Sequence, residues 1–333
     1  MIRVGVIGAG SMGRNHLRVL RDLPDVDLVA VAEADVSLAE QAAHRYGIKA
    51  YRDHRELLRT EHLAAVTVAV PTTLHHEVGV DALQAGCHVL IEKPIAATLE
   101  AAEALVAASA AAGRILMVGH VERYNPAIIE LKRRLHNGEG GRIFEIHTRR
   151  LGPFPERIRD VGVVLDLATH DLDIIRYLSD SEIVRLYAET RRNVHGSNED
   201  LSCAILGLAN EAVGVVELNW LTPTKVRDVT VTGERGMFRA EYLTQDLFFY
   251  ENAEVGQEGW EHLRILRGVR EGVMTRFAVN RQEPLHLEMR AFMEAARGGA
   301  ADTVTGVDGV AALRLALALL QSGSEHQPIT LPR

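Results

Sequence analysis

Short apolar segments alternate with helix-like segments over the first 120 residues, and this alternation constrains the fold more than any other feature. Such apolar segments joined by helices are typical of a parallel sheet that is covered on both faces. We therefore expect a Rossmann-type doubly wound α/β domain over residues 1–120. The five segments are Ile2–Ile7, Leu28–Ala32, Ala65–Val70, His88–Ile91 and Ile115–Val118.

A glycine-rich turn follows the first apolar segment, in VGVIGAGSMG. Gly8, Gly10 and Gly13 form a G-x-G-x-x-G pattern, with Ser11 and Met12 inside it. In a βαβ unit these glycines allow a tight turn, close backbone approach to a pyrophosphate and close helix–strand packing. The helix that starts here presents free N–H groups to phosphate. The turn predicts a dinucleotide cofactor bound by these five residues.

An acidic residue, Glu33, ends the second apolar segment about 20 residues after the last glycine, as expected for a ribose-binding acid. A carboxylate there repels a 2′-phosphate, so NAD is favoured over NADP. Asp35 is close enough in sequence to share this role, while Arg14 and Arg52 leave some use of NADP open.

The alternation of apolar strands and helices ends after residue 120. This change predicts a second domain, of the α+β class, over residues 121–333. A mostly antiparallel open sheet with helices on one face is expected, because alternating segments follow one another between turn signals. Asn252–Val279 has no clean period and is predicted to be a loop. The strand-like segments are Arg142–Leu151, Val184–Arg191, Ser202–Leu208, Ala212–Trp220, Asp228–Thr232, Gly236–Glu241 and Leu247–Tyr250, and the helical ones are Pro126–His136, Asp166–Leu178, Leu285–Arg297 and Val307–Gln321.

Composition excludes several classes of protein. The formal net charge of −8 argues against a nucleic-acid partner, which usually requires a basic surface. The apolar stretches are short or interrupted by charge, and the N-terminus lacks a signal-peptide pattern, so no membrane association and a cytoplasmic location are expected. Cys87 and Cys203 both lie in apolar segments and are predicted to be buried thiols.

Three residues have the chemistry to move a hydride and a proton together: Lys93, in the tripeptide Glu-Lys-Pro after the fourth apolar segment, and Asp166 and His170, in VVLDLATHDLDIIRYL. Oxidation of a secondary alcohol needs a proton acceptor at the hydroxyl, and histidine titrates near neutral pH. Asp166 lies four residues before His170, on the same helix face. Either His170 or Lys93 could be the direct base. The spacing of His170, Asp171 and Asp173 fits no common metal site, so no metal is expected.

These motifs, in this order, resemble those of the glucose–fructose oxidoreductase/inositol dehydrogenase/MocA family over nearly the whole chain. The resemblance rests on GAGSMGRNH, VAVPTTLH, EKP and D-x-A-T-H-D-x-D. It implies a Rossmann domain, a substrate-binding domain and assembly into homodimers or homotetramers. It also implies a catalytic Lys93 that touches both the nicotinamide ribose and the reacting hydroxyl.

The resemblance implies roles for further residues at matching positions. Asp166 and His170 match the pair on the sugar side of the nicotinamide, and Asp173 matches a position that supports their helix. The remaining cofactor-side residues are Pro71, Thr72, His75, Glu92 and Pro94. The chain departs from the family pattern at Thr72, where Asn is common, at Ala168, where Gly is common, and in the lead-in Asp160–Val164, which leaves the substrate open.

The segment VGHVERYNPA, with RRLGPFPERIRDVGVV and EPLHLEMRAFMEAA, is similar to UDP-N-acetylglucosamine 3-dehydrogenases within the family. A nucleotide sugar needs cations for its diphosphate, and arginine suits this role. The candidate substrate-binding residues besides the catalytic three are Arg123, Tyr124, Asn125 and Arg157. The neighbouring arginines are Arg149, Arg150 and Arg159, and any of these arginines could instead pair with Glu122, Glu156 or Asp160.

Other functions are compatible with the same sequence. An inositol or free-sugar dehydrogenase, or a ketosugar reductase, needs the same catalytic groups but no diphosphate site. An NAD-binding redox sensor would need no catalytic triplet, so the presence of all three groups argues for an enzyme. The alternating strands of the second domain also predict an open sheet face that pairs with another subunit.

Overall fold

The computed structural model describes residues 1–155, 161–194, 196–253 and 271–331, and the chain divides into two compact units. The first unit contains Met1–Tyr124 and Gln282–Leu315, and the second contains Asn125–Arg281 and Ala316–Arg333. The first boundary lies close to the expected one at residue 120. The return of residues 282–315 to the first unit had no counterpart in the sequence analysis.

The first unit is built on a six-stranded parallel sheet, which confirms the predicted fold class. The strands lie in the order β3-β2-β1-β4-β5-β6. The chain adds strands outward in one direction from β1 to β3 and in the other direction from β4 to β6, so the strand order reverses between β1 and β4. In such sheets ligands bind beyond the carboxyl ends of the strands at this point of reversal. The strands are β1 Ile2–Ile7, β2 Val26–Ala32, β3 Lys49–Tyr51, β4 Ala65–Val68, β5 His88–Glu92 and β6 Leu116–Gly119.

Helices pack with these strands in the first unit, and several begin at side-chain caps. Asp35 accepts hydrogen bonds from the Ser37 and Leu38 amides at the start of α2, and Thr98 accepts one from Ala101 at the start of α5. The helices are α1 Ser11–Asp22, α2 Val36–Tyr46, α3 His54–Glu61, α4 His75–Gln84, α5 Leu99–Ala112 and α8 Pro284–Ala296, with 3-10 turns at Thr72–Leu74 and Val121–Tyr124. The last helix, α9 Gly306–Glu325, begins in this unit and continues past the unit boundary at Leu315.

The second unit is built on a nine-stranded sheet in the order β14-β13-β12-β11-β7-β10-β9-β8-β15. β7 and β10 run parallel, while the other neighbours run antiparallel, as expected. The strands are β7 Ile143–Leu151, β8 Ile183–Arg191, β9 Leu201–Leu208, β10 Val213–Asn219, β11 Val226–Gly233, β12 Gly236–Glu241, β13 Asp246–Asn252, β14 Glu271–Phe277 and β15 Ile329–Thr330. The helical segments of this unit are α6 Pro126–His136, a π-helical turn Val164–Ala168 and α7 Thr169–Ser179.

One face of the second sheet is covered and the other is open. Along β9, Ala204 and Leu206 are buried, whereas Cys203 and Ile205 point to the open face. The prediction that Cys203 is buried was therefore wrong, because an alternating strand places odd and even residues on opposite faces. Cys87 is buried, and both cysteines are free thiols.

Two further expectations need correction. The predicted loop Asn252–Val279 contains β14, which pairs with β13, and residues 254–270 lie outside the described part of the chain. The helix predicted to start at Asp166 begins with the π-helical turn at Val164. In the described ranges, no helix combines the length and apolar character needed to cross a membrane.

Candidate active site

The glycine turn lies at the carboxyl end of β1, at the point where the sheet order reverses. Gly8 has φ +97°, and a Cβ atom there would lie 2.5 Å from the carbonyl oxygen of Ala69 on the neighbouring chain segment. A Cβ atom on Gly13 would lie 1.9 Å from the carbonyl oxygen of Gly8. Side chains are thus excluded at both positions, whereas Gly10 faces open space. The turn is tight on its inner side and open where a ligand would approach.

The first turn of α1 follows Gly10 and is suited to an anion. Among the described residues no side chain caps this helix, and its first turn contains no acidic residue. Helix N-termini with free N–H groups and a positive dipole end bind phosphate. Ser11 and Met12 are the first residues of this turn, so their amides are available to a pyrophosphate.

Glu33 lies at the carboxyl end of β2 and contacts the glycine turn directly. Its Oε2 accepts a hydrogen bond of 2.6 Å from the Ala9 amide, and its Oε1 accepts one of 3.0 Å from the Asp35 amide. The side chain remains partly exposed, so its oxygens keep lone pairs for a ribose. Asp35 caps α2, which leaves Glu33 as the better placed of the two acids.

The Glu-Lys-Pro turn follows β5, with a cis bond between Lys93 and Pro94. Glu92 Oε2 accepts a hydrogen bond of 3.2 Å from the Lys93 amide, and Glu92 Oε1 lies 3.0 Å from Nε2 of His16 on α1. The Glu92 carboxylate therefore connects the helix that follows the glycine turn to the backbone of Lys93. The Lys93 side chain is partly exposed.

His75 also contacts the backbone of this turn. Its ring is buried, with Nδ1 2.9 Å from the Pro94 carbonyl oxygen and Nε2 3.0 Å from the Val70 carbonyl oxygen. Burial lowers the pKa of this imidazole, although the two carbonyl groups oppose that effect. A neutral ring donates from one nitrogen only, so His75 holds one of the two contacts as a hydrogen bond. Pro71 and Thr72, in the turn that carries His75, are more exposed.

Asp166 and His170 belong to the second unit. Asp166 lies in the π-helical turn and His170 in the first turn of α7, and both side chains are partly exposed. π-Helical turns often occur at functional sites. Asp171, the residue after His170, is buried and forms a two-point ion pair with Arg150 of β7, at 3.0 and 3.1 Å. This pair fixes α7 on the sheet.

The arginines near the predicted substrate segment are mostly occupied. Arg123 lies 3.2 Å from Asp308, and Arg149 binds Asp228 at 2.9 Å. These partners differ from the acids expected from the sequence. Arg157 and Arg159 lie outside the described residues, as do Glu156 and Asp160.

Tyr124 and Asn125 are both buried and bonded inside the protein. The Tyr124 hydroxyl donates to the Asp302 carbonyl at 3.1 Å. Asn125 donates to the Tyr242 carbonyl at 3.0 Å and caps α6 by accepting from Ala127. These contacts give both side chains a structural role, and their assignment to substrate binding stays a prediction.

Comparison with known proteins places the chain in a family. A family model described as "Oxidoreductase family, NAD-binding Rossmann fold" matches residues 2–120, and a model of the GFO/IDH/MocA C-terminal domain matches residues 128–239. Inositol 2-dehydrogenase 2 of Saccharopolyspora erythraea is 30% identical over 96% of this chain and 93% of its own length. The chain belongs to the Gfo/Idh/MocA family. It is an NAD-binding oxidoreductase, which confirms the predicted enzyme class and cofactor.

Another Gfo/Idh/MocA relative acts on a nucleotide sugar. The UDP-N-acetylglucosamine 3-dehydrogenase of Acidithiobacillus ferrooxidans is 28% identical over 96% of both chains. A solved structure of the enzyme GnnA of that name and organism superimposes with a TM-score of 0.84 at 27% identity, over 96% of this chain and 97% of that one.

Two buried ionisable side chains of the first unit were missed by the sequence analysis. His16 follows the glycine pattern by three residues and binds Glu92, and Glu288 of α8 lies fully buried in the same unit. In the segment EPLHLEMRAF, Glu288 lies between two apolar residues. This placement is the one local signal in the sequence for a buried carboxyl group. Nothing in that segment indicates its neighbours.

Proposed function

We propose that this protein oxidises the 3-hydroxyl of a UDP-linked amino sugar to a ketone, with NAD as the hydride acceptor. The observation that carries the proposal is the likeness to the Acidithiobacillus ferrooxidans UDP-N-acetylglucosamine 3-dehydrogenase, which extends over 96% of this chain in sequence and in structure. The segment Val118–Ala127 supports it by its resemblance to such enzymes.

In the proposed reaction the sugar C3–H leaves as hydride and the O3–H leaves as a proton. Bound NAD supplies the acceptor carbon for the hydride. Either Lys93 or His170 accepts this proton. Asp166 binds a neighbouring hydroxyl or orients His170. The glycine turn and the first turn of α1 hold the pyrophosphate, while Glu33 binds the adenosine ribose. His75 and Glu92 keep the Lys93 turn in place through its backbone.

A second candidate is the oxidation of inositol at its 2-position. The 30% identity to inositol 2-dehydrogenase 2 of Saccharopolyspora erythraea favours it. Free inositol requires no diphosphate contact, and Arg123, Arg149 and Arg150 are already held in ion pairs. For the nucleotide sugar, the remaining prediction is therefore that Arg157 contacts the diphosphate.

The test is a substrate panel with NAD. Purified protein is mixed with UDP-N-acetylglucosamine, the corresponding uronic acid, myo-inositol or glucose, and reduced nicotinamide is followed by absorbance with a carbonyl trap present. We expect turnover with a nucleotide sugar only. The Lys93→Ala variant should lose roughly 10²- to 10⁴-fold in kcat and still bind NAD, as is typical when a group that transfers a proton is removed.

The matched control is Lys49→Ala, an exposed lysine in the same unit, which should keep wild-type turnover because its buried partner Glu61 retains hydrogen bonds from Arg3 and Tyr51. Turnover with myo-inositol alone would replace the nucleotide sugar by the second candidate. An Arg157→Ala variant with unchanged affinity for the nucleotide sugar would remove the diphosphate contact from the proposal.

We also propose that the protein works as a homo-oligomer whose subunits meet on the open face of the second sheet. Ile205 of β9 is 60% exposed on that face, beside Val215 and Tyr187 in the neighbouring strands. A second copy would remove these apolar groups from water.

A further inference from the structure

A cluster of ionisable side chains surrounds Glu92 within the first unit. His16 of α1 and Glu288 of α8 are fully buried, and the side chain of Glu92 at the end of β5 is 13% exposed. α8 packs against α1 and against the 3-10 turn Val121–Tyr124. Of this cluster the proposed reaction uses only Glu92, which holds the Lys93 turn, so the acid on α8 has no assigned role.

Glu92 is the centre of this cluster, because its two oxygens bind different elements. Oε1 contacts the His16 ring at 3.0 Å and Oε2 accepts from the Lys93 amide at 3.2 Å. Gly119 pairs with Glu92 in the sheet, and a Cβ atom there would lie 3.2 Å from the Glu92 carboxyl atoms. Burial raises the pKa of Glu92, but the hydrogen bond and charge of His16 and the charge of Lys93 outweigh it and lower the pKa. Glu92 is therefore ionised.

Glu288 has the opposite environment. Neither of its carboxyl oxygens meets a hydrogen-bond donor among the described residues. Burial, followed by the negative charges of Glu92 and Glu122, raises its pKa well above the ordinary 4.5. An ionised carboxylate without partners is very costly in the protein interior, so the neutral acid is the stable form. Two carboxyl groups in one cluster thus carry different charges, as in sites where environment separates two acids.

We propose that Glu288 is a positioning residue: as a neutral carboxylic acid it fills the packed interior where α8 meets α1 and the 3-10 turn without adding a second negative charge near Glu92, and so maintains the chain of contacts His16–Glu92–Lys93. The proposal rests on the proposed role of Lys93. The position of the Lys93 ammonium then depends on the α8 acid, although Glu288 touches neither sugar nor NAD.

Raising the pH should disturb this arrangement. The charged groups that act on Glu288 are Glu92 from β5 and Glu122 from the 3-10 turn, and His16 of α1 joins the cluster through Glu92. Burial raises the pKa of Tyr124 in the same turn, and ionised Glu288 would raise it further. Lys93 and His75 act on the cluster through Glu92. When Glu288 ionises, it repels Glu92 and weakens the hold on the Lys93 amide. A loss of activity on the alkaline side follows.

The first experiment measures the charge of Glu288 without any substrate. Infrared difference spectra at pH 7 compare wild type with Glu288→Gln and look for the C=O band of a protonated carboxylic acid. We expect the band in wild type and its loss in the variant. Glu61→Gln is the matched control, since Glu61 is equally buried but is bonded to Lys49, which lowers its pKa, so that this variant should keep the band. A band that survives in Glu288→Gln overturns the proposal.

The second experiment measures the position of Lys93. The rate at which its amine is acylated is followed by peptide mass spectrometry across pH, and kcat and KM are measured in parallel. Glu288→Ala should change the acylation rate at least threefold and lower kcat about tenfold at unchanged KM for NAD. Glu288→Gln should restore both to within threefold of wild type and remove the alkaline loss. Wild-type values of the acylation rate and of the pH profile in Glu288→Ala overturn the proposal.

The two sets of results separate this inference from the proposed function. The infrared band and the acylation rate need no turnover, so they report on Glu288 even if every sugar in the panel is inert. If Lys93→Ala abolishes turnover while both Glu288 variants keep wild-type turnover, the proposed function stands and the inference about Glu288 is wrong.

Discussion

Among single residues, Gly13 and Gly10 of the first turn have different roles: we expect Gly13 to matter for stability and Gly10 for NAD binding. Gly13→Ala would place a Cβ atom 1.9 Å from the Gly8 carbonyl oxygen, whereas Gly10→Ala meets nothing within 4 Å. We expect Gly13→Ala to cost about 3 kcal/mol or more of unfolding free energy, as in overpacked sites. Gly10→Ala should change stability by under about 0.5 kcal/mol.

The Gly10→Ala variant should also have a lower affinity for NAD. Gly10 faces the side from which the pyrophosphate approaches, so Gly10→Ala should raise the Kd for NAD by about tenfold or more, which is about 1.4 kcal/mol. Urea unfolding and calorimetric titration with NAD measure the two effects. Equal loss of stability in both variants would contradict this division of roles.

These residues could be predicted from the sequence because their signal is local. The glycine spacing, Glu33 and Lys93 each follow directly on a strand that the pattern reveals. His16 and Glu288 gave no such signal, because their chemistry comes from neighbours that are distant in sequence, such as Glu92. The apolar sequence neighbours of Glu288 indicate burial, but only the fold shows which groups surround its carboxyl group.

At the scale of elements, the buried ion pair between Arg150 and Asp171 holds α7 on β7. Arg150→Met leaves Asp171 buried without this partner, so we expect a loss of about 3–5 kcal/mol in unfolding free energy and a fall in kcat, because α7 carries His170. Replacing both residues, as Arg150→Met with Asp171→Leu, should recover most of the stability. Urea denaturation and kinetics of the three proteins provide the measurement.

The control for Arg150→Met is the same substitution at the neighbouring Arg149. Arg149 lies on the same strand and binds Asp228, which also contacts Arg239 at 3.1 Å. Arg149→Met therefore leaves its acid with a partner, and its cost should stay near about 1 kcal/mol. Losses of similar size in Arg149→Met and Arg150→Met would show that burial of the pair is unimportant.

Elements with a strong periodic pattern were predicted well. α6 and β12 have the bounds expected from the sequence, and β1 was predicted residue for residue. β14 was missed because its residues alternate between glycine, charge and apolar groups without a buried face that the sequence reveals. The π-helical turn before α7 was missed because one extra residue in a turn leaves the apolar pattern almost unchanged.

At the scale of the whole molecule, the division into two units was expected, but the return of residues 282–315 to the first unit was not. Helix periodicity identifies α8 as amphipathic without indicating which sheet it covers. The apolar face of α8 fits either unit in sequence terms, and only the fold decides between them.

The open face of the second sheet makes the last prediction, which concerns the assembly. Ile205→Glu introduces a charge in the middle of the proposed contact, where its burial against a second copy would be costly. Sedimentation should give at least twice the chain mass of 36.6 kDa for wild type and a shift toward the single-chain mass for the variant. Leu243→Glu, at a 55% exposed position in the turn after β12, is the matched control and should assemble normally. Because each chain contains its own glycine turn and Glu33, the dissociated variant should still bind NAD. A wild-type protein that sediments as a single chain would show instead that this apolar face is left to solvent.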